Sequence, residues 1–424
     1  MEVSNLSAVP LTPTVPTGYK QTEVGLIPND WDCVRVGRLV AEGVLAKPLD
    51  GNHGNIHPKS GDFVSFGIPF VMANNVKGGF VDLNNCAFIR KEQADSLQKG
   101  FSLTGDVLLT HKATIGQTAV VGNIPYEYIM LTPQVTYYRV TDRERMSNIY
   151  LRQFFEGNPF QLVLQAMSGG GTRSYIGITA QLDLPVAFPS KVTEQRAIAT
   201  ALSDVDVLLA KLDQLIAKKR DLKKAAMQQL LTGQTRLPGF SGAWGVSRLG
   251  DLAEIVMGQS PSSSNYNWKG LGLPLVQGNA DIANRKTIRR MFTTEITKRG
   301  KRGDILMSVR APVGEISRAE FDVCLGRGVC AIRYANDFMY HYLISLEPRW
   351  ARLSKGSTFD SVNSADVKEL DVCLPQDKLE QTAIAIALSD MDAELTALEY
   401  RRDKTRALKQ GMMQELLTGR IRLV

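Results

Sequence analysis

The sequence predicts an α/β (α+β) chain: two β-rich globular parts related by a pseudo-two-fold axis and separated by two long antiparallel coiled-coil helices. Three observations predict it. The same helical text stands twice, as EQRAIATALSDVD at 194–206 and EQTAIAIALSDMD at 380–392. Apolar residues inside each copy recur at alternating spacings of four and three, the seam of a coiled coil. The segments ahead of the two copies share short β-type runs and glycine turns in the same order.

Sliding the chain by 186 places aligns 194–238 with 380–424 without a gap. Roughly half the aligned positions are identical, through to MQQLLTG (227–233) and MQELLTG (413–419), which marks an internal duplication. The seam of the first copy is Ile198, Leu202, Val205, Leu209, Leu212 and Ile216; that of the second is Ile384, Leu388, Met391, Leu395 and Leu398. Thr193 is the expected cap of the first helix, and Asp377 with Glu380 the expected capping box of the second. Gly233 and Gly419 stand where a C-cap glycine belongs. At 1.5 Å rise per residue each helix is a rod of about 60 Å.

Between the helices the parallels are fainter. IPNDWDCVRVGRL (27–39) matches FSGAWGVSRLGDL (240–252), which sets Trp31 opposite Trp244. GIPFVMANN (67–75) matches GLPLVQGNA (272–280), and GDVLLTHKATIGQTAVV (105–121) matches GDILMSVRAPVGEISRA (303–319), with Lys112 opposite Arg310. SGGGTRSYIGITAQLDLPVAFP (168–189) echoes SKGSTFDSVNSADVKELDVCLP (354–375), so each part closes on a strand ending at Pro189 or Pro375. QTRLPGFSGAW (234–244) is in register with QTEVGLIPNDW (21–31), so the C-terminal TGRIRLV leads cyclically back to the N-terminus. The expected organisation is a tail (1–18), a first globular domain (19–190), a central helix (191–236), a second globular domain (237–376) and a C-terminal helix (377–424).

Bulk properties narrow the class. A chain of 424 residues exceeds one ordinary core. Its 44 % hydrophobic and 22 % charged residues are those of a soluble globular protein. No apolar run reaches the ~18 residues that span a bilayer. The Pro- and Thr-containing N-terminus has no basic-then-apolar signal, so no membrane partner is expected. The five cysteines (Cys33, Cys86, Cys324, Cys330, Cys373) are scattered without CxxC spacing, which points away from a disulfide framework and towards the cytoplasm. A net charge of +7 permits a polyanionic partner. Between Arg285 and Arg302 eight basic residues stand against one acid, Glu295, a dense patch or simply a solvated face.

A DNA duplex suits two similar heads on a fixed spacer, because half-sites recur about one turn (~34 Å) apart. Two heads that diverged while their struts did not point to two different half-sites. At the level of wording, EQxxIAxxLSDxD…MQxLLTGxxRL, the Gly-Asp-Ile/Val-Leu strands and the IPxxW…G entry resemble the specificity subunit of type I restriction–modification enzymes, over residues 19–424. That resemblance implies two target-recognition domains on a bipartite, asymmetric double-stranded DNA site. It also implies two modification subunits docked on the helices, bringing S-adenosylmethionine to methylate adenine. Restriction subunits would add ATP- and Mg-dependent translocation and cleavage. This chain would then be non-catalytic and hold no cofactor of its own. A specificity partner of a fused methylase–nuclease, a coiled-coil scaffold for non-DNA ligands, and a self-sufficient enzyme remain as alternatives.

The residues themselves carry little chemistry. There is no GxxxxGK[ST] loop for ATP. Asn158-Pro159-Phe160 partly matches the Asn-Pro-Pro-aromatic box of adenine methyltransferases, but lacks the second proline and any FxGxG partner, and reads as a turn. His53 and His57 have metal-ligand spacing, but Gly51, Gly54 and Pro58 disfavour the helix it needs, so a loop and no metal are expected. No catalytic residue is assigned.

Phosphate contacts want Lys, Arg and flexible backbone N–H groups, and base readout wants Arg, Lys, Asn and Gln. In the first head the candidates are Asn52, His53 and Lys59, then Asn74, Asn75 and Lys77, then His111 and Lys112, then Arg173. In the second they are Gln277, Asn279, Arg289, Arg290, Arg310, Lys355, Ser357 and Thr358. Each has an ordinary alternative as an exposed polar side chain. For the spacer and subunit docking the candidates are Leu202, Val205, Leu209, Leu212, Leu388, Met391, Leu395 and Leu398.

Overall fold

The computed structural model describes residues 15–169, 175–355 and 361–423, the side chains of 351–355 excepted. Two compact units emerge: Met1–Lys211 with Arg402–Val424, and Leu212–Arg401. They repeat one strand plan. In the first unit a five-stranded sheet runs Phe101–Ser102, Ile129–Leu131, Ile68–Val71, Ala87–Ile89, Phe63–Val64. In the second the order is Arg299–Gly300, Val323–Leu325, Leu273–Val276, Phe292–Thr293, Tyr266–Asn267. The same pair is parallel in both, Met130 opposite Phe70 and Cys324 opposite Leu275.

A second sheet lays Thr118–Val120, Val107–Thr110, Val135–Tyr138 and Leu49–Asp50 side by side in the first unit. Its counterpart lays Ile316–Arg318, Ile305–Ser308, Val329–Arg333 and Glu254–Met257 in the same order, extended at one edge by Lys286–Thr287 and Ile282–Ala283. The Gly-Asp dipeptides open the central strands of these sheets. Asp106 accepts from the Leu103 backbone N–H (2.8 Å) and pairs with Arg139 (2.8 Å). Asp304 accepts from Lys301 N–H (2.8 Å) and pairs with Arg333 (3.1 Å). These carboxylates are thus turn and strand fasteners. Trp31–Arg35 pairs with Pro185–Pro189, and Trp244–Arg248 with Asp371–Pro375, setting Trp31 against Pro189 and Trp244 against Pro375.

The two long helices span Val192–Leu230 and Lys378–Leu416. Within the first unit Lys409 meets Asp206 (2.7 Å) and Arg422 meets Glu194 (2.7 Å), so the helix segments there run antiparallel. Within the second, Lys219 meets Glu394 (2.7 Å), Lys223 meets Asp392 and Arg236 meets Glu380 (2.5 Å), with the same sense. Asp206–Lys409 and Asp392–Lys223 are one pair written twice by the repeat.

Several local expectations change. The first helix begins at Val192, which places Thr193 inside it rather than at its cap. Asp377 does accept from the Leu379 N–H (2.8 Å), but Glu380 is drawn into the ion pair with Arg236 and closes no capping box. Gly233 and Gly419 adopt left-handed φ of 71° and 68° after the last helical turns, as C-cap glycines do. The apolar seam is also shorter than its spacing implies. Ile198 and Leu202 are buried in the first unit's core with Tyr150, Phe154 and Val186, and Ile384 and Leu388 in the second's with Phe338 and Val372. The globular strands and helices claim those positions first, so Leu202 and Leu388 are core residues rather than docking residues. Leu212 is buried, while Val205, Leu209, Met391, Leu395 and Leu398 are half-buried along the helices.

Candidate nucleic-acid interface

In the first unit four loops converge, those after Leu49–Asp50, Ile68–Val71, Val107–Thr110 and Ile129–Leu131. They line a cleft of about 440 Å³ whose walls include His53, Lys59, Met72, Lys112, Thr132 and Gln134. Backbone hydrogen bonds tie the loops to each other: Thr132 N–H to Val71 O (3.0 Å), Gly51 N–H to Thr132 O (3.2 Å) and His111 N–H to Gln134 O (3.0 Å). Gly51 is required by this crossing, since a Cβ there would lie 1.9 Å from Leu131 O.

The second unit builds a similar crossing from different residues, with two of the three bonds in matching places. Gly326 N–H bonds Val276 O (2.8 Å), Gly258 N–H bonds Val329 O (3.0 Å) and Val309 N–H bonds Gly328 O (2.9 Å). Gly258 stands where Gly51 does, and its added Cβ would lie 2.1 Å from Gly326 O. Two rigid scaffolds of one design therefore present unlike side chains.

Electrostatics at the first cleft centre on Asp50, which is buried and accepts from Lys99 and from His53 Nε2 (2.7 Å). Burial pushes its carboxyl up, but the hydrogen bonds and charges of Lys99 and His53 outweigh that and hold it below the usual value. Burial holds the His111 imidazole below its ordinary pKa; its Nδ1 donates to Ile176 O (2.9 Å).

Comparison with known proteins shows what the chain is similar to. Residues 242–405 match the type I restriction modification DNA specificity domain. Over 96 % of this chain and 97 % of its own length, the type I restriction enzyme MjaX specificity subunit of Methanocaldococcus jannaschii is 28 % identical. The chain is thus similar to a type I specificity subunit along nearly its whole length. The MjaIX specificity subunit of the same organism is 22 % identical over 62 % of this chain and 60 % of its own. Two solved structures share the fold. One is the type I restriction–modification S subunit of M. genitalium (TM-score 0.60, 15 % identity, 91 % of this chain and 96 % of that one). The other comes from a study of assembly and conformational transition in a type I R-M system (TM-score 0.57, 22 % identity, 93 % of this chain and 99 % of that one).

The structure sorts the residues proposed from sequence by their exposure and partners. His53, Lys59 and Lys112 come together in the first cleft. Asn74 is exposed, and Lys77 is exposed but pairs with Asp82 (3.0 Å). Three candidates are turned inward. Asn52 bridges Lys99 O (2.6 Å) and Gln98 N–H (3.1 Å), Asn75 bridges Met72 N–H (3.0 Å) and Asn85 O (3.1 Å), and His111 is buried. Their polar groups close loops instead of facing a ligand.

In the second unit Gln277 donates to the Tyr266 hydroxyl (2.9 Å), and Asn279 keeps a buried Oδ1 with no partner among the described residues. Arg310 is exposed at the place of Lys112, and both positions form a lone backbone bridge, Lys112 with Tyr175 and Arg310 with Ser361. The basic run is less free than its composition implies. Arg290 is held by buried Asp281 (2.8 Å), Arg285 by Glu347 (2.5 Å), Lys286 by Glu320 (3.3 Å) and Arg299 by Asp322 (2.5 Å). Arg289 lies over the Phe321 ring (4.6 Å) and stays exposed. Arg173, Ser357, Thr358 and the side chain of Lys355 lie outside the described residues.

Sequence reading missed the turn after the parallel strand, Thr132-Pro133-Gln134 and its counterpart Gly326-Arg327-Gly328. The only signal was turn-type residues between two apolar runs in both halves. Among the described residues no three His, Cys, Asp or Glu side chains are grouped to hold a metal, and no helix is long and apolar enough to cross a membrane.

Proposed function

We propose that this chain is the address of a type I restriction–modification complex. It reads a bipartite, asymmetric DNA site, one half with each unit, and docks two adenine-methyltransferase subunits on its helices. Restriction subunits join through those partners. S-adenosylmethionine, ATP and Mg belong to the partners, and this chain contributes recognition alone. The observation that carries the reading is the doubled loop scaffold: the shared strands keep one order, and two backbone bonds, Thr132 to Val71 and His111 to Gln134, recur as Gly326 to Val276 and Val309 to Gly328, with different side chains on top. Rigid elements with interchangeable contact residues are what sequence readout needs.

Docking of two equivalent partners is supported by Leu222 and Leu408. They are the same position of the two helix copies, identical in type, and 47 % and 60 % exposed. A large apolar residue kept outside in both copies fits a doubled contact. Co-expression with a modification subunit, followed by mapping of methylated adenines, tests the proposal. A new split motif is expected; an assembled complex that produces none would sink it.

A further inference from the structure

The geometry points to Arg327 as a base-reading residue of the second unit, selecting a guanine in the second half-site. This rests on the DNA-reading function proposed above. Arg327 is the apex of the turn between Val323–Leu325 and Val329–Arg333, flanked by two buried glycines. Neither glycine can carry a side chain in place: a Cβ on Gly328 would lie 2.0 Å from Gln277 O, and one on Gly326 would lie 2.9 Å from Gln277 Cγ.

The turn is fixed from three sides, by Gly326 N–H to Val276 O (2.8 Å), Val309 N–H to Gly328 O (2.9 Å) and Arg327 N–H to Ser260 Oγ (3.2 Å). The loop thus projects one side chain from a backbone that has no slack. The Arg327 guanidinium is exposed and has no acidic partner among the described residues, unlike Arg285, Arg290 and Arg299 nearby in the chain. An unpaired arginine on a rigid turn can present its fork to the O6 and N7 of guanine, a pairing that needs fixed orientation and not merely charge.

The matched turn of the first unit keeps the same backbone bonds but carries Pro133 at this place, which has no donor to offer. The position therefore differs between the heads, as unlike half-sites require.

The test uses the full chain assembled with its modification subunit, comparing wild type, Arg327→Ala and Arg327→Lys by methylation mapping and by binding to duplexes of varied sequence. Losing one bidentate base contact should lower affinity for the cognate duplex roughly 5- to 150-fold. It should relax one base pair of the second half-site and leave the first half-site untouched. Arg327→Lys keeps the charge but loses the planar fork, and should weaken the base preference measurably. Full recovery by lysine, a uniform loss on every sequence with a salt slope smaller by about one, or no change at all would each overturn the assignment. Failure of the wild-type complex to select any split site would instead overturn the functional reading, and this inference with it.

Discussion

Arg422, almost at the end of the chain, forms a bidentate ion pair with Glu194 in the first turn of the first long helix, with Nη2 2.7 Å from Oε2. It also holds Asp30 (2.9 Å) and lies over Trp31. The repeat writes the same clamp again: Arg236, after the first helix, grips buried Glu380 at the start of the second (2.5 and 2.6 Å) and lies over Trp244. The last residues of each helix copy thus secure the first turn of the other. This is the physical content of the cyclic register read in the sequence. The EQ pair that opens both copies is structural in the same way, since Gln195 donates to Pro189 O (2.9 Å) and Gln381 to Pro375 O (2.7 Å).

Removing either arginine leaves a buried glutamate without its counter-charge. Arg422→Ala and Arg236→Ala should therefore each lower stability. Urea unfolding of the single variants checks this. Midpoints equal to wild type would show the clamps to be incidental.

His341 makes the second unit sensitive to acid. It is buried, its Nε2 meets Ser389 (3.0 Å), and its Nδ1 faces Asp392 at 3.9 Å, which also pairs with Lys223. Burial holds its pKa down at about 4, with Asp392 partly opposing and Lys223 adding to the depression. The unfolded chain takes up this proton near pH 6.5 and the folded chain only near 4, so stability should fall as pH drops through that window, by on the order of 3 kcal/mol. His341→Gln should flatten this part of the pH–stability curve, measured by denaturation between pH 7 and 4 (roughly the window set by those pKa values).

Gly51→Ala and Gly258→Ala drive a methyl into backbone oxygens at 1.9 and 2.1 Å, so the crossing loops must move. Each should cost about 1–3 kcal/mol. Methylation mapping should show Gly51→Ala degrading recognition of one half-site and Gly258→Ala the other. Both variants damaging the same half would contradict the assignment of one reading loop set to each unit.

Leu222→Asp and Leu408→Asp change exposed helix positions and should leave folding within about 0.5 kcal/mol of wild type. Each single variant should bind one modification subunit instead of two, and the double variant none. Mass measurement of the assembled complexes reads this directly, with DNA binding by the variant chains as the control.

The strand pairs and helix copies were legible because they leave one-dimensional traces. Periodicity marks the helices, and repetition ties GIPFV to GLPLV and GDVLL to GDILM; the structure then gives both pairs matching places in their sheets. The candidate site was legible only as loops. Asn52 and Asn75 have the residue type of base readers, yet a neighbouring backbone claims both ends of each amide. Arg327 was hidden by its two glycines, which read as an ordinary turn.

By itself, then, the sequence determined the duplication, the two long helices, the shared β plan and the family wording, all properties of spacing along the chain. Only the tertiary structure decided which charges are free and which apolar faces are claimed. Arg285 meets Glu347 across 62 residues and Arg299 meets Asp322 across 23, separations at which no local pattern signals a partner. Leu202 and Leu388 fit a coiled-coil seam in spacing, but the globular cores reach them first. The reason is common to both cases: charge pairing and burial depend on distance in space, and folding brings together residues whose separation along the chain carries no record of it.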